Sequence, residues 1–357
     1  LGDANEILWV LDDALEGDFV VVDSLSFTAT TQITDTAAAA FAWSYGMLLN
    51  NWDPATGLVR DKARNTGGEF DAIQATGSLA AATAMADQLG IVSRSSALEI
   101  VGRISDTLHL ELPQSHGLWP HFVEISPTGE LTIVSGTEWS SVDTVIAGFG
   151  LLGALGALGM DTSGTEQMLE AIEWNDLLTE DGISHGYTYT GTRIPLFWHM
   201  FGGESWLVAL AYAGATGQVA PMTYPSPPTA NGSGFIDELA WLFVEPPPVR
   251  DYWGTDWSAY RVAAGDNQLL YYTTHVPESC FRQLGLFGLS AAEVPDPSQV
   301  PPEAVYQAFG VGGQLCPAND GFGLYGTRVV VPHEAALIAS LRPKEALDMW
   351  DWLMDGE

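Results

Sequence analysis

The sequence predicts an all-α fold. Segments of helical period recur along its 357 residues, loops rich in Gly, Pro, Asp and Thr separate them, and few runs alternate as strands do. About eleven such segments follow one another without a strict internal repeat, a pattern that helix pairs arranged around a ring would give.

The first helix takes its cap from Thr34 or Asp35 and runs to Trp52, where the turn Asp53-Pro54-Ala55-Thr56-Gly57 follows. A second covers Phe70 to Leu89 and closes on Gly90; a third runs from Ser93, as a cap, to Leu110. Trp139 to Leu158 is the fourth. Within it Gly150, Gly153, Gly156 and Gly159 recur at every third position. Each glycine costs a helix about 1 kcal/mol relative to Ala, so a neighbouring helix must approach closely. Further helices are expected at Glu166–Trp174, Gly203–Ala215, Phe235–Phe243, Asn267–Leu284, Pro302–Phe309, His333–Leu341 and Pro343–Met354. Asp18–Val22, Leu131–Val134 and Thr327–Val331 read as small β-hairpin pieces decorating one rim.

No low-complexity linker divides the chain, so residues 34–357 read as one domain and residues 1–33 as an N-terminal extension packed on it. Twelve Lys and Arg against 45 Asp and Glu give a net charge of −33, which repels nucleic acid and anionic membrane surfaces. Neutral, cationic or carbohydrate partners remain. Aromatic residues make up 11% of the chain, and with so many carboxylates they suit sugar: pyranose rings stack on aromatic faces while carboxylates accept hydroxyl hydrogen bonds. The longest apolar runs, such as Val145–Leu158, are too short and glycine-rich to span a membrane. The first residue is Leu, as at a processed or trimmed end, and an extracellular, periplasmic or envelope setting is expected. Cys280 and Cys316 either form one disulfide or are two unrelated buried thiols.

Two carboxylates, Asp143 and Glu204, lie inside segments otherwise built from Gly, Ala, Leu, Val and Trp. An ionised side chain is costly to bury without a partner, so each faces a polar cavity or is held for chemistry. The plainer alternative is a carboxylate placed in the first turn of a helix, where the dipole favours negative charge.

Six segments in a fixed order carry a resemblance: NWDPATGLVRD (51–61), WSSVDTVIAGFGLLGAL (139–155), EAIEWNDLLTEDGISHGY (170–187), FWHMFGGESWLVALAYAG (197–214), LGLFGLSAAEVPD (284–296) and VVVPHEAALIASLRPKEAL (329–347). Together, from Phe41 to the C-terminus, they resemble the glycoamylase-like family, which includes bacterial endo-β-1,2-glucanases and a domain of cyclic β-1,2-glucan synthases. The resemblance implies an (α/α)6 barrel with a carbohydrate cleft at one end. Its acidic positions fall on Asp143 in SSVDT, Glu204 in GGES and Glu293 in GLSAAE. Three places depart from the family pattern: Gly202-Gly203 stand where Tyr-Asn is usual, Glu293 replaces an Asp, and Gly77-Ser78 replace a Gly-Phe.

Glycoside hydrolysis needs a proton donor for the leaving oxygen and a second carboxylate that activates water or attacks the anomeric carbon. Glu204 is assigned as the general acid because its apolar flank (Trp206, Leu207, Val208) disfavours the charged form. Glu293 is assigned as the general base, with an ordinary loop acid as its alternative. Asp143 binds sugar hydroxyls or orients one of the pair, and its role and that of Glu293 are exchangeable. The resemblance suggests inversion, with the catalytic carboxyls roughly 6.5–9.5 Å apart. Glu138, Trp119, His121, Tyr187, Arg193, Trp198 and His199 are candidate substrate contacts; Trp119 and Trp198 are the best stacking platforms, with the hydrophobic interior as the alternative for each. No His pairs at helical ligand spacing with a carboxylate or Cys, so no metal or cofactor is assigned, although one structural Ca²⁺ is compatible with so acidic a chain. A non-catalytic carbohydrate-binding or structural surface protein on the same barrel is the alternative function, and a lyase using Tyr187 or a His is a third.

Overall fold

The computed structural model describes residues 35–61, 70–126, 130–198, 203–221, 232–244, 250, 255–274, 283–295, 304–311 and 330–355. They are mainly helical, with small antiparallel sheets. The chain divides into two compact units, residues 1–199 with 205–223 and residues 200–204 with 224–357.

The first unit contains α1 (Asp35–Asn50), β1 (Asp71–Ala72), α2 (Ile73–Gln88) and α3 (Arg94–Asp106), the last running into a π turn at Thr107–Glu111. Ser93 caps α3 as the sequence predicts, its hydroxyl accepting the Ser96 amide at 3.1 Å. After β2 (Phe122–Ile125), β3 (Leu131–Ile133) and β4 (Trp139–Ser140) comes α4 (Ser141–Ala157). Then follow α5 (Ser163–Glu170), α6 (Trp174–Leu177), β5 (Leu178–Thr179), β6 (Gly182–Ser184), β7 (Gly186–Tyr187), β8 (Phe197–Trp198) and α7 (Gly203–Thr216). The sheets are β1-β2-β3, β4-β7 and β5-β6-β8, so the expected piece at 131–134 is the far strand of the first.

Helix α4 is apolar on every side and buried from Ser141 to Leu151, which is how a helix at the centre of a unit must read. Its glycines do bring a neighbour close. A Cβ on Gly77 of α2 would fall 2.3 Å from Cα of Ala147, and one on Gly150 would fall 2.4 Å from the Gly77 carbonyl oxygen, so the two backbones touch directly. Gly148 makes the same room for Leu169 of α5. Gly159 acts on the backbone instead, ending the helix in the left-handed region with a φ of +62°.

The second unit contains α8 (Gly234–Glu238) with a 3₁₀ turn at Leu239–Leu242, α9 (Trp257–Thr274), β9 (Ala291–Pro295), β10 (Ala304–Ala308), α10 (Pro332–Leu337) and α11 (Pro343–Asp355). Two expectations are corrected here. The segment predicted as a helix at 302–309 is strand β10, antiparallel to β9 with Val305 opposite Val294 and Tyr306 opposite Glu293. β-Branched and aromatic residues with a facing partner outweigh a weak helical period. The helix expected from Asn267 begins instead at Trp257, because the Asp256 carboxylate accepts the Ala259 amide at 2.9 Å and starts the first turn there. Residues 1–33, Cys280, Cys316 and the piece Asp18–Val22 lie outside the described residues.

Gln268 of α9 clamps this unit. Its amide donates to the carbonyls of Gly232 (2.9 Å) and Leu289 (3.0 Å) while its oxygen accepts the Leu289 amide at 2.9 Å. Nearby, Asp237 accepts hydrogen bonds from the Tyr260 hydroxyl and the Gly232 amide, and Glu238 is bridged by Arg261 at 2.8 Å. Glu334 of α10, 1% exposed, lies so close to Gly234 that a Cβ there would fall 1.2 Å from its carboxyl oxygen. Burial raises the Glu334 pKa well above the ordinary carboxylate range, and the charges of Glu238 and Asp237 add to the shift. Burial also raises Glu238 to about 7, more than Arg261 can offset.

Two outcomes follow from these contacts. Gly77→Ala and Gly150→Ala should each lower unfolding free energy by about 3 kcal/mol in urea titrations. Gly46→Ala, where an added Cβ meets nothing within 4 Å in the middle of α1, should be neutral or stabilising by up to about 1 kcal/mol. Because the folded state holds the Glu238 proton more tightly than the unfolded chain, that residue's contribution should favour the fold most below pH 4.5. It should decline by about 3 kcal/mol as pH rises to about 7. Glu238→Gln should flatten that slope in pH-dependent denaturation.

Candidate active site

The site-bearing end of the first unit is the N-terminus of α4. The Ser140 hydroxyl accepts the Asp143 amide at 3.2 Å, fixing Asp143 in the first turn, and the Thr144 hydroxyl donates to the Ser140 carbonyl at 2.7 Å. Asp143 is 6% exposed. Against it comes His121, from the loop before β2, with Nδ1 2.8 Å from Glu138 Oε1 and 3.6 Å from Asp143 Oδ2. On the far side of the ring, Nε2 lies 3.3 Å from the Gln74 side-chain nitrogen of α2. One ligand atom from each of His121, Glu138 and Asp143 lies within 4.8 Å of the other two.

The electrostatics follow from this packing. Burial raises the Asp143 pKa, while His121 and the Ser140 hydroxyl act against the rise. For His121 burial lowers the pKa, but the Glu138 hydrogen bond and the charges of Asp143, Glu138 and Asp61 prevail and leave it raised. The same hydrogen bond holds Glu138 below the ordinary carboxylate value.

A second aromatic group flanks the start of α4. The Trp198 indole N–H donates to the Ser141 hydroxyl at 2.9 Å, which itself donates to the Ser184 carbonyl, and the Trp198 ring stacks on His185 with centroids 3.8 Å apart. Tyr187 stacks on His116 at the same centroid distance, and the His116 Nδ1 lies 2.6 Å from Glu173. Tyr187 is buried, and its hydroxyl has no hydrogen-bond partner among the described residues. Arg193 is exposed and donates to the Asp176 carbonyl.

Of the residues singled out in the sequence, Asp143, Glu138 and His121 are brought together, and Trp198 stands at the same helix end. Trp119 is corrected: it is 0% exposed, with its indole N–H donating to the Leu108 carbonyl at 2.9 Å, so no ring face is open for a sugar. The loop around it serves to anchor α4, since the Trp119 amide and carbonyl bind Thr144 and Ser140. Glu204 occupies the first turn of α7, is partly exposed, and is grouped with the second unit. Glu293 falls in β9 rather than a loop; its side chain and all of His199 lie outside the described residues. Gln74 joins the site without having been expected from the sequence. Gln74 is the one polar amide at the start of an Ala-rich helix, three residues before the Gly77 contact, and that placement is the signal that could have found it.

No protein-family model matches the chain, and no curated protein sequence matches it. Solved structures do. A proposed glucoamylase from Bacteroides uniformis superposes with a TM-score of 0.68 at 15% identity, over 92% of this chain and 83% of that one. An endo-β-1,2-glucanase from Chitinophaga pinensis, solved with sophorotriose and glucose, gives 0.64 at 14% identity over 91% and 83%. A proposed glucoamylase from Bacteroides caccae gives 0.64 at 14% over 90% and 83%. The chain has a glucoamylase-like fold. No helix among the described residues is long and apolar enough to cross a membrane.

The His121–Glu138 pair generates a pH signature. The His121 contribution is complete below its ordinary value of 6.5 and is lost as pH climbs through the raised folded value; that of Glu138 is present above 4.5 and is lost as pH falls through its lowered value. The destabilisation by His121→Gln should therefore be largest between pH 4.5 and 6.5 and narrow on either side. Solvent screening of the partly exposed Glu138 should hold it to about 1 kcal/mol in chemical denaturation.

Proposed function

We propose that this chain is a glycoside hydrolase that cleaves a β-glucan, with β-1,2-linked glucan as the first substrate to test, on a barrel of paired helices of the (α/α)6 type. The observation that carries the reading is the likeness, over 91% of the chain, to an endo-β-1,2-glucanase solved with sophorotriose and glucose. In this reading Glu204 is the general acid, at the start of α7 where Ser205, Trp206, Leu207 and Val208 are all buried behind it. Glu293 is the general base that activates water, and the outcome is inversion. Asp143 holds sugar hydroxyls or orients the reacting pair, and Glu138, His121 and Trp198 contact the substrate beside it. Arg193, on the exposed loop that follows Tyr187, belongs to the outer contacts. A polysaccharide substrate accords with export or attachment to the cell envelope.

The acidic composition supports the reading. A neutral sugar is among the ligands that a chain with a net charge of −33 does not repel, and carboxylates are its natural hydrogen-bond acceptors.

Purified protein should release oligosaccharides from one member of a panel of glucans of different linkage, with the anomeric configuration of the first product inverted by NMR. Glu204→Gln and Glu293→Gln should each lower kcat by about 100-fold or more, whereas Trp198→Ala should act mainly through KM. Binding without turnover on every polymer would replace this reading with the non-catalytic carbohydrate-binding one.

A further inference from the structure

We propose that His121, Glu138 and Asp143 form a binding site for one divalent transition-series cation, Zn²⁺ being the first to test. The geometry of the donors is the starting point. Zinc bonds of about 2.0–2.2 Å place neighbouring ligand atoms roughly 2.8–3.1 Å apart at an octahedral edge and roughly 3.3–3.6 Å apart at a tetrahedral one. The imidazole Nδ1 lies 2.8 Å from Glu138 Oε1 and 3.6 Å from Asp143 Oδ2, and one ligand atom from each of the three residues lies within 4.8 Å of the other two. Two carboxylates and a neutral imidazole carry a charge of about −2, which a dication neutralises, and the mixed nitrogen and oxygen donors favour Zn²⁺ over Ca²⁺ or Mg²⁺.

An independent observation comes from Gln74. Nδ1–H donates to Glu138, the Gln74 side-chain nitrogen lies 3.3 Å from the ring Nε2, and Gln74 Oε1 is buried with no partner among the described residues. A buried polar atom without a partner costs about 1–3 kcal/mol. When Nδ1 binds the ion instead, the ring proton moves to Nε2, the Gln74 amide turns over, and its oxygen accepts that proton. This is the outer-shell carbonyl that a metal-bound histidine ordinarily has, fixing both tautomer and ring orientation. Three protein ligands also leave a coordination position open to water or to a substrate hydroxyl.

The inference uses the first unit alone and does not rest on hydrolysis: a failed metal titration leaves the roles of Glu204 and Glu293 standing. Chelator-treated protein should take up one Zn²⁺ per chain by calorimetry, more weakly at pH 5.5 than at pH 7.5 as protons compete for the imidazole. Co²⁺ in place of Zn²⁺ should give visible ligand-field absorption. His121→Gln and Glu138→Gln should weaken Zn²⁺ binding at least tenfold and abolish the Co²⁺ spectrum. Gln74→Leu, outside the ligand set, should weaken it about tenfold. Circular dichroism of each variant checks that it is folded. Absence of Zn²⁺ binding, or binding undiminished in His121→Gln and so due to the acidic surface, would overturn the proposal.

Discussion

The backbone contact between α2 and α4 is the constraint on which the first unit depends. Where Gly77, Ala147 and Gly150 meet, no side chain separates the two helices, and their relative position is fixed to within the tolerance of van der Waals contact. Gln74 lies three residues before Gly77 and Asp143 four residues before Ala147, so about one helical turn beyond the contact each helix presents a polar side chain. His121 is held between these, by Gln74 on one nitrogen and the two acids on the other. Packing at an apolar seam thus sets the geometry of a charged cluster.

Much of this was legible in the sequence. The glycine period in 139–159 calls for a close neighbour, and a place in the first turn of a helix is one reading of Asp143; both are present. An acid within an apolar run marks Asp143 as unusual without showing its partner. His121 and Glu138 are 22 and 5 residues away from it in sequence, and no helical or strand spacing relates the three. Their convergence depends on loops, whose paths leave no periodic trace. Trp119 illustrates the reverse limit: a tryptophan beside His and Pro in a loop resembles a sugar platform, yet burial is decided by what the loop packs on. The hairpin β9–β10 was hidden for a similar reason, since a five-residue strand is recognised by its partner more than by itself.

The second unit handles charge differently. The chain carries a large excess of acid, and most of it can face water, but Asp237, Glu238 and Glu334 are buried. Asp237 is satisfied by the Tyr260 hydroxyl and a backbone amide, whereas Arg261 reaches one oxygen of Glu238 and the other is buried with no partner among the described residues. Glu334 follows another course. The medium around it is too apolar for a charge, so its proton is retained in place of a counter-ion. Neighbouring carboxyls of unlike affinity for protons are how a fold keeps one acid neutral beside another that is ionised.

Gln268 shows how narrowly a single position can be defined. Its side chain supplies two donors to the carbonyls of Gly232 and Leu289 and one acceptor to the Leu289 amide. Among the genetically encoded residues only the primary amides combine those functions, and asparagine is a methylene too short. A carboxylate forfeits both donors, and lysine or arginine forfeits the acceptor. Any other side chain at this position gives up at least one of the three hydrogen bonds, so the tie between α9 and the backbone at Gly232 and Leu289 rests on the chemistry of a single amide.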